Sequence, residues 1–209
     1  MIPSELTIVL SPSSPKRAAI ETLMALDARL GELTRFTRDA FVAQMRLTWW
    51  YEAIAALDDK PAPAEPLLQA VQRDLIPHVP GADLAAMIEG WEELLDPDPI
   101  DTDRLQRFAD RRGGRLFAAM ARLLGAGPDD PVPAAGRGWA LIDFADHTPD
   151  RNAADQARSL AAISIGDVQA ARWSRAGRPI GALALLATMP HRSPAARSVR
   201  VLRHRLTGR

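Results

Sequence analysis

Met45-Arg46-Leu47-Thr48-Trp49-Trp50-Tyr51-Glu52-Ala53-Ile54 holds two of the five tryptophans of the chain and its one tyrosine. Phe41, Met45 and Trp49 recur four apart, and Leu47, Trp50 or Tyr51, Ile54 and Leu57 line an adjoining row. This is the periodicity of a helix that is large and apolar round most of its circumference. Such a pattern predicts a helix buried at the centre of the fold. Arg46, one residue after Met45 and three before Trp49, then needs a carboxylate, helix-end carbonyls or a bound anion, unless its stem snorkels to water.

Outward from this stretch the chain is a succession of helical patterns separated by Pro, Gly and Asp clusters, which predicts an all-α fold. A first helix starts near Ser14-Pro15, with serine as cap and proline in the first turn, and carries Ile20, Leu23, Met24, Leu26, Leu30 and Leu33 to about Thr37. The helix of the opening stretch runs from about Asp39 to Leu57, and a shorter one spans Pro66 to Ile76. Leu84, Met87, Ile88, Trp91 and Leu95 recur at three and four, predicting one amphipathic helix over Asp83 to Leu95. Thr102 to Leu124 can form another, although Gly113-Gly114 inside it costs about 2 kcal/mol relative to alanine. That pair therefore signals a close helix crossing, a kink, or a ligand approaching the backbone. Further helices are expected over about 134–145, 152–162, 167–173, 181–189 and 194–206.

A chain of 209 residues suffices for one domain that buries about 70% of its unfolded surface, so a single domain over 1–209 is expected. Lys plus Arg and Asp plus Glu are both 26, and the zero net charge gives nucleic acid no electrostatic footing. The absence of cysteine excludes disulfides and thiolate chemistry and fits a cytoplasmic protein. Leu6 to Leu10 is too short an apolar run for a secretory signal, and no 18-residue apolar run predicts a membrane span. The closing segment combines Arg192, Arg197, Arg200, Arg203, Arg205 and Arg209 with Val199, Val201, Leu202 and Leu206. It reads either as a helix touching an anionic membrane surface from the cytoplasmic side or as a solvated helix whose arginines complement its own dipole. His78, His147, His191 and His204 form no metal-ligand pair, and no phosphate loop or nucleophile elbow is present. Lys16 and Lys60 are the only lysines, a bias expected of a GC-rich bacterial genome.

Several motifs occur in a telling order: Pro15-Lys16-Arg17-Ala18 leading a helix with Ala25-Leu26; Met45-Arg46-Leu47-Thr48-Trp49-Trp50; Ile88-Glu89-Gly90; Phe108-Ala109-Asp110-Arg111-Arg112-Gly113-Gly114; and Gly136-Arg137-Gly138-Trp139. Over residues 15–150 this order resembles the squalene and phytoene synthases. The remainder matches weakly, and the chain is shorter than typical members. The resemblance implies an isoprenoid synthase bundle, truncated at its C-terminal end, around a deep apolar cavity. In the enzymes that cavity holds two isoprenoid diphosphates, and two aspartate-rich motifs bind magnesium ions that neutralise the leaving group.

The departures fall where that chemistry is needed. The first motif should lie in Glu32 to Asp39, where Thr34, Arg35 and Arg38 stand in place of acids; arginines there repel magnesium and pair instead with a carboxylate or a phosphate. The second should lie near Asp143, Asp146 and Asp150, where Pro149 interrupts the helix and favours capping or turn roles. Arg35, Arg38, Arg46, Trp49, Trp50, Gly113 and Gly114 are the candidates to line the cavity or bind an anion, with Asp143, Asp146 and Asp150 as the candidate metal ligands. The same basic residues after Glu32-Leu33, and Thr148-Pro149, resemble one branch of the family: the mitochondrial complex I assembly factor and its alphaproteobacterial relatives. That branch implies a non-catalytic protein, with no cofactor, binding a lipid, an isoprenoid or a partner protein. The alternative is a magnesium-dependent prenyl-diphosphate transferase of isoprenoid biosynthesis acting on farnesyl or geranylgeranyl diphosphate.

Overall fold

A computed structural model describes Val9 and residues 16–37, 39–189 and 193–209. Ser14-Pro15, Arg38, His191 and Arg192 lie outside the described residues. Among those described there are helices and no strands. In chain order they are α1 (Arg17–Arg35), α2 (Ala40–Ala55), α3 (Pro66–Asp74), α4 (Gly81–Ala85), α5 (Ile88–Glu92) and α6 (Thr102–Phe108). A π-helical segment (Ala109–Gly114) follows, then α7 (Arg115–Leu124), α8 (Val132–His147), α9 (Arg151–Ala170), α10 (Arg178–Ala187) and α11 (Pro194–Thr207).

Helix starts follow local chemistry. Asp39 accepts hydrogen bonds from the Phe41 and Val42 amides to cap α2, Glu65 caps α3 ahead of Pro66, and Asp101 and Asp150 cap α6 and α9. α7 stops at Gly125, whose φ of 73° needs a residue without a Cβ.

Two spans differ from the periodic expectation. Asp83 to Leu95 is not one helix but two short ones, α4 and α5, joined through Ala86 and Met87. The break lets α5 turn Gly90 onto the backbone of Arg112, where any Cβ would overlap the Arg112 amide. Conversely, the segments expected at 152–162 and 167–173 are one helix, α9, because Gly166 sits in open space and is simply carried through.

The central helix is α8, not α2. α8 packs on the π segment, α7, α9 and α10, and its small residues Ala134, Ala135, Gly136, Gly138 and Ala140 allow that approach. The main core runs from Ile20 and Leu23 of α1 through Trp91, Phe117 and Leu185 to Val201 of α11. α2 buries one stripe, Ala43, Leu47, Trp50 and Ile54, and lies at the edge. Its other face is in water: Phe41 is 71% exposed, Met45 58% and Trp49 46%, and neighbouring Phe36 is 80% exposed. The apolar circumference that predicted central burial is two faces with two destinations.

Candidate functional site

Arg112 gives the interior its chemistry. It is 2% exposed and lies in the π segment beside Arg111, and the two successive side chains leave the helix in different directions. Arg111 reaches outward to Glu93 at 3.0 Å, and Arg112 points in. Arg112 Nε and Nη2 donate to the two oxygens of Asp27 at 2.9 and 2.8 Å, a bidentate fork. Arg112 Nη1 donates to Asp143 Oδ2 at 2.7 Å. The guanidinium plane is enclosed by rings, 4.0 Å from the centre of Trp91, 4.8 Å from Trp139 and 5.4 Å from Phe108.

Two helix faces supply the remaining groups. On α1, Asp27, Gly31 and Arg35 lie four apart on one side. Asp27 also accepts from Trp91 Nε1 at 3.2 Å. Gly31 leaves room for the Trp91 ring, which a Cβ would meet at 2.8 Å. Arg35 Nη2 donates to Asp143 Oδ2 at 3.2 Å. On α8, Trp139, Asp143 and His147 form the matching face, with His147 Nδ1 3.4 Å from Asp143 Oδ1. Two arginines thus balance two aspartates. Burial alone pushes the Asp143 carboxyl up, but Arg112 first and Arg35 after it overcome this, so Asp143 is held below the ordinary carboxylate range. Arg112 stays firmly protonated despite its burial because Asp27 and Asp143 face it.

A cavity of about 270 Å³ opens beside this cluster, with Trp91, Leu94, Ile100, Phe108 and Phe144 as apolar walls; Arg35, Arg112 and Asp143 stand on one charged side, and Asp96, Asp98, Arg104, His147 and Asp150 add to the polar lining. Arg104 ties down its rim by donating to the carbonyls of Glu93, Asp96 and Asp98. A second cleft of about 640 Å³ lies between α8, α9 and α10, lined by Ile142, Ile165, Gly166 and Ala187.

The candidates named from sequence fall in different places. Arg35 and Asp143 meet at the first cavity; Arg38 lies outside the described residues. Trp50 is buried and stacks edge-on against Trp49 at 5.6 Å between ring centres, but neither belongs to the cavity wall. Arg46 is exposed and donates to Thr37 Oγ1 at 3.3 Å, so of its alternatives the arginine that reaches water is the one found; the acids of the interior pair with Arg112 instead. Gly113 lies where the π segment crosses α8, so close that a Cβ on Gly113 or on Gly136 would overlap the carbonyl oxygen of the other. Gly114 has its nearest neighbour, the Ala109 oxygen, at 4.0 Å.

Asp27, Trp91 and Arg112 belong to this site although no sequence motif assigns them to it. A signal for Asp27 was present: one acid on the same face as Leu23 and Leu30 needs a buried partner.

The residues at the expected magnesium sites do not suit that ion. Asp143 is committed to two guanidiniums, and Asp146 faces the second cleft, 3.6 Å from Arg158. Asp150 accepts from the Asn152 and Ala153 amides as the cap of α9. Magnesium needs oxygen ligands converging on one octahedral point. Among the described residues no group of three or more His, Asp or Glu side chains is placed to hold a metal.

A model of the squalene/phytoene synthase family matches residues 6–161, well over half of the chain. No curated protein and no solved structure matches it.

Proposed function

This chain belongs to the squalene/phytoene synthase family, and from that premise we propose that it is a non-catalytic member, a binding scaffold that takes a partner protein on its exposed aromatic face. The observation that carries this reading is the Arg112 cluster. Where a prenyl synthase needs carboxylates converging on metal ions in a roomy cavity, this interior ties Asp27 and Asp143 to Arg112, itself enclosed by three aromatic rings. Among the described residues, the other acids of the cavity lining form no group placed to hold a metal. The space beside it, about 270 Å³, falls just below the range of pockets for a single small ligand, roughly 300 to 1,000 Å³. Two isoprenoid diphosphates do not fit in it.

The surface that invites a partner is formed by Phe36, Phe41, Met45 and Trp49. Clustered aromatic and methionine side chains in water favour a protein interface, whose centre is enriched in just these residues. A role in assembling a respiratory-chain complex accords with the branch whose basic residues after Glu32-Leu33 this chain shares. A second reading is favoured by the cleft of about 640 Å³ between α8, α9 and α10: it has room for one isoprenoid or acyl chain.

The test is incubation of the chain with farnesyl or geranylgeranyl diphosphate and magnesium. No pyrophosphate release is expected. Magnesium-dependent release that Asp143→Asn or Asp146→Asn abolishes overturns the reading in favour of a prenyl-diphosphate transferase. In the binding arm, Phe41→Ser with Trp49→Ser removes partner capture from respiratory membranes while the melting temperature stays within a few degrees, because both side chains are exposed.

A further inference from the structure

The net charge of zero conceals a segregation. All 26 acidic residues precede Val168. The segment from Val168 to Arg209 contains no acid and nine arginines, so the first 167 residues carry 26 − 9 = 17 basic residues against 26 acids, a balance of −9, and the last 42 carry +9. α11 concentrates this charge, and its placement gives it a use.

One side of α11 is fixed to the body of the fold. Val201 and His204 are buried at 2% and 1% exposure, and the His204 ring meets Trp173 edge-on at 6.1 Å. Gly208 closes the helix at a φ of 73°, with its carbonyl accepting from the Trp173 amide at 3.0 Å. Arg178 of α10 donates to the carbonyls of Arg205 and Leu206 at 2.6 and 3.1 Å. The helix is therefore held in one rotational setting.

In that setting its opposite side is apolar. At about 100° per residue, Val199, Leu202 and Leu206 share a sector roughly 60° wide, across the helix from Val201, His204 and Gly208. They are 67%, 58% and 71% exposed. Arg200 and Arg203 flank this ridge on one side, Arg205 and Arg209 on the other. Among the described residues, none of these four has a carboxylate within 4 Å; the ion pairs of the fold are made elsewhere. Complementing the helix dipole accounts for arginines in the last turn, but it gives Leu202 and Leu206 no reason to face water.

We propose that α11 is a membrane-docking helix, which lays the Val199, Leu202 and Leu206 ridge into the headgroup region of an anionic bilayer while the flanking arginines engage lipid phosphates. An apolar ridge edged by arginines is complementary to such a surface on both counts, burying hydrocarbon and neutralising charge. Among the described residues no helix is long and apolar enough to cross a membrane, and docking in the interfacial plane requires none. This inference does not depend on the aromatic face of α2 or on the absence of catalysis.

Sedimentation of the full chain with vesicles tests it. The chain is expected to pellet with vesicles of phosphatidylcholine and phosphatidylserine in equal parts, to stay in solution with phosphatidylcholine alone, and to be released by high salt. Leu202→Ser with Leu206→Ser weakens anionic-vesicle binding by on the order of ten-fold or more. Arg203→Gln and Arg205→Gln weaken it by about five-fold each. Circular dichroism melts of these variants match the parent chain, since the altered side chains are exposed. Equal binding to both vesicle types, no binding to either, or parent-like binding by the leucine variant overturns the proposal. So does a concentration-dependent dimer that the leucine variant abolishes while vesicles are ignored, which makes the ridge an interface between two copies.

Discussion

Arg112 is the residue on which the interior turns. Removing a partner from a buried ion pair leaves an uncompensated charge, which costs about 3 to 5 kcal/mol, whereas replacing the pair by apolar groups is often neutral. Arg112→Met is therefore expected to destabilise by about that amount in urea denaturation, because Asp27 at 3% exposure loses both of its charge-assisted hydrogen bonds. Adding Asp27→Leu to Arg112→Met recovers a substantial part. A double variant as unstable as the sum of its single changes argues against coupling between the two. Half of this pair was legible beforehand. Asp27 interrupts the apolar face of α1, and burial of an acid demands a cation. Which of 26 basic residues answers it depends on a helix crossing that no local pattern encodes. Arg46 looked suited because it sits among tryptophans, but it lies on the wet side of its helix.

Helix existence was largely written in apolar spacing; helix breaks and partners were not. Gly90, Gly113, Gly136 and Gly166 look alike in a string of letters and differ in what a methyl group would strike. At Gly113 and Gly136 it meets the backbone of the neighbouring helix, so Gly113→Ala or Gly136→Ala forces the π segment and α8 apart, at a cost of about 1 to 3 kcal/mol or more. At Gly166 it meets nothing within 4 Å, and Gly166→Ala is expected to stabilise α9 by up to about 1 kcal/mol. Thermal melts of the three variants should move in opposite directions. A common sign for all of them contradicts the close crossing of the π segment and α8. α2 differs from its periodic expectation for the same reason: apolar spacing marks its faces but not the neighbour each one meets, and the Phe41, Met45 and Trp49 face is left exposed.

At the scale of the whole molecule, stability and pH are linked through His204 of α11 and Asp143 of α8, among other groups. Burial pushes the His204 imidazole below its ordinary value, and nearby Arg200 and Arg178 add to this. Asp143 is held below the ordinary carboxylate range by Arg112 and Arg35 against the pull of burial. In both cases the unfolded chain binds a proton that the folded chain refuses, so stability falls as pH falls. The His204 contribution is complete above about pH 6.5 and declines below it; that of Asp143 is complete above about pH 4 and is lost in stronger acid. Urea midpoints measured from pH 8 to 3 are expected to descend in two stages, the first absent in His204→Gln and the second reduced in Asp143→Asn. All-helical class and family were readable from ordered motifs, whereas these two linkages arise only once distant segments meet. The π segment has a further consequence of that kind. Ala109–Gly114 sets the angular phase between α6 and α7 within one continuous rod, and each residue gained or lost there rotates one half against the other by about 100°. A relative one residue shorter at this point would turn a different side chain inward, so a change of length there is also a change in the chemistry of the interior.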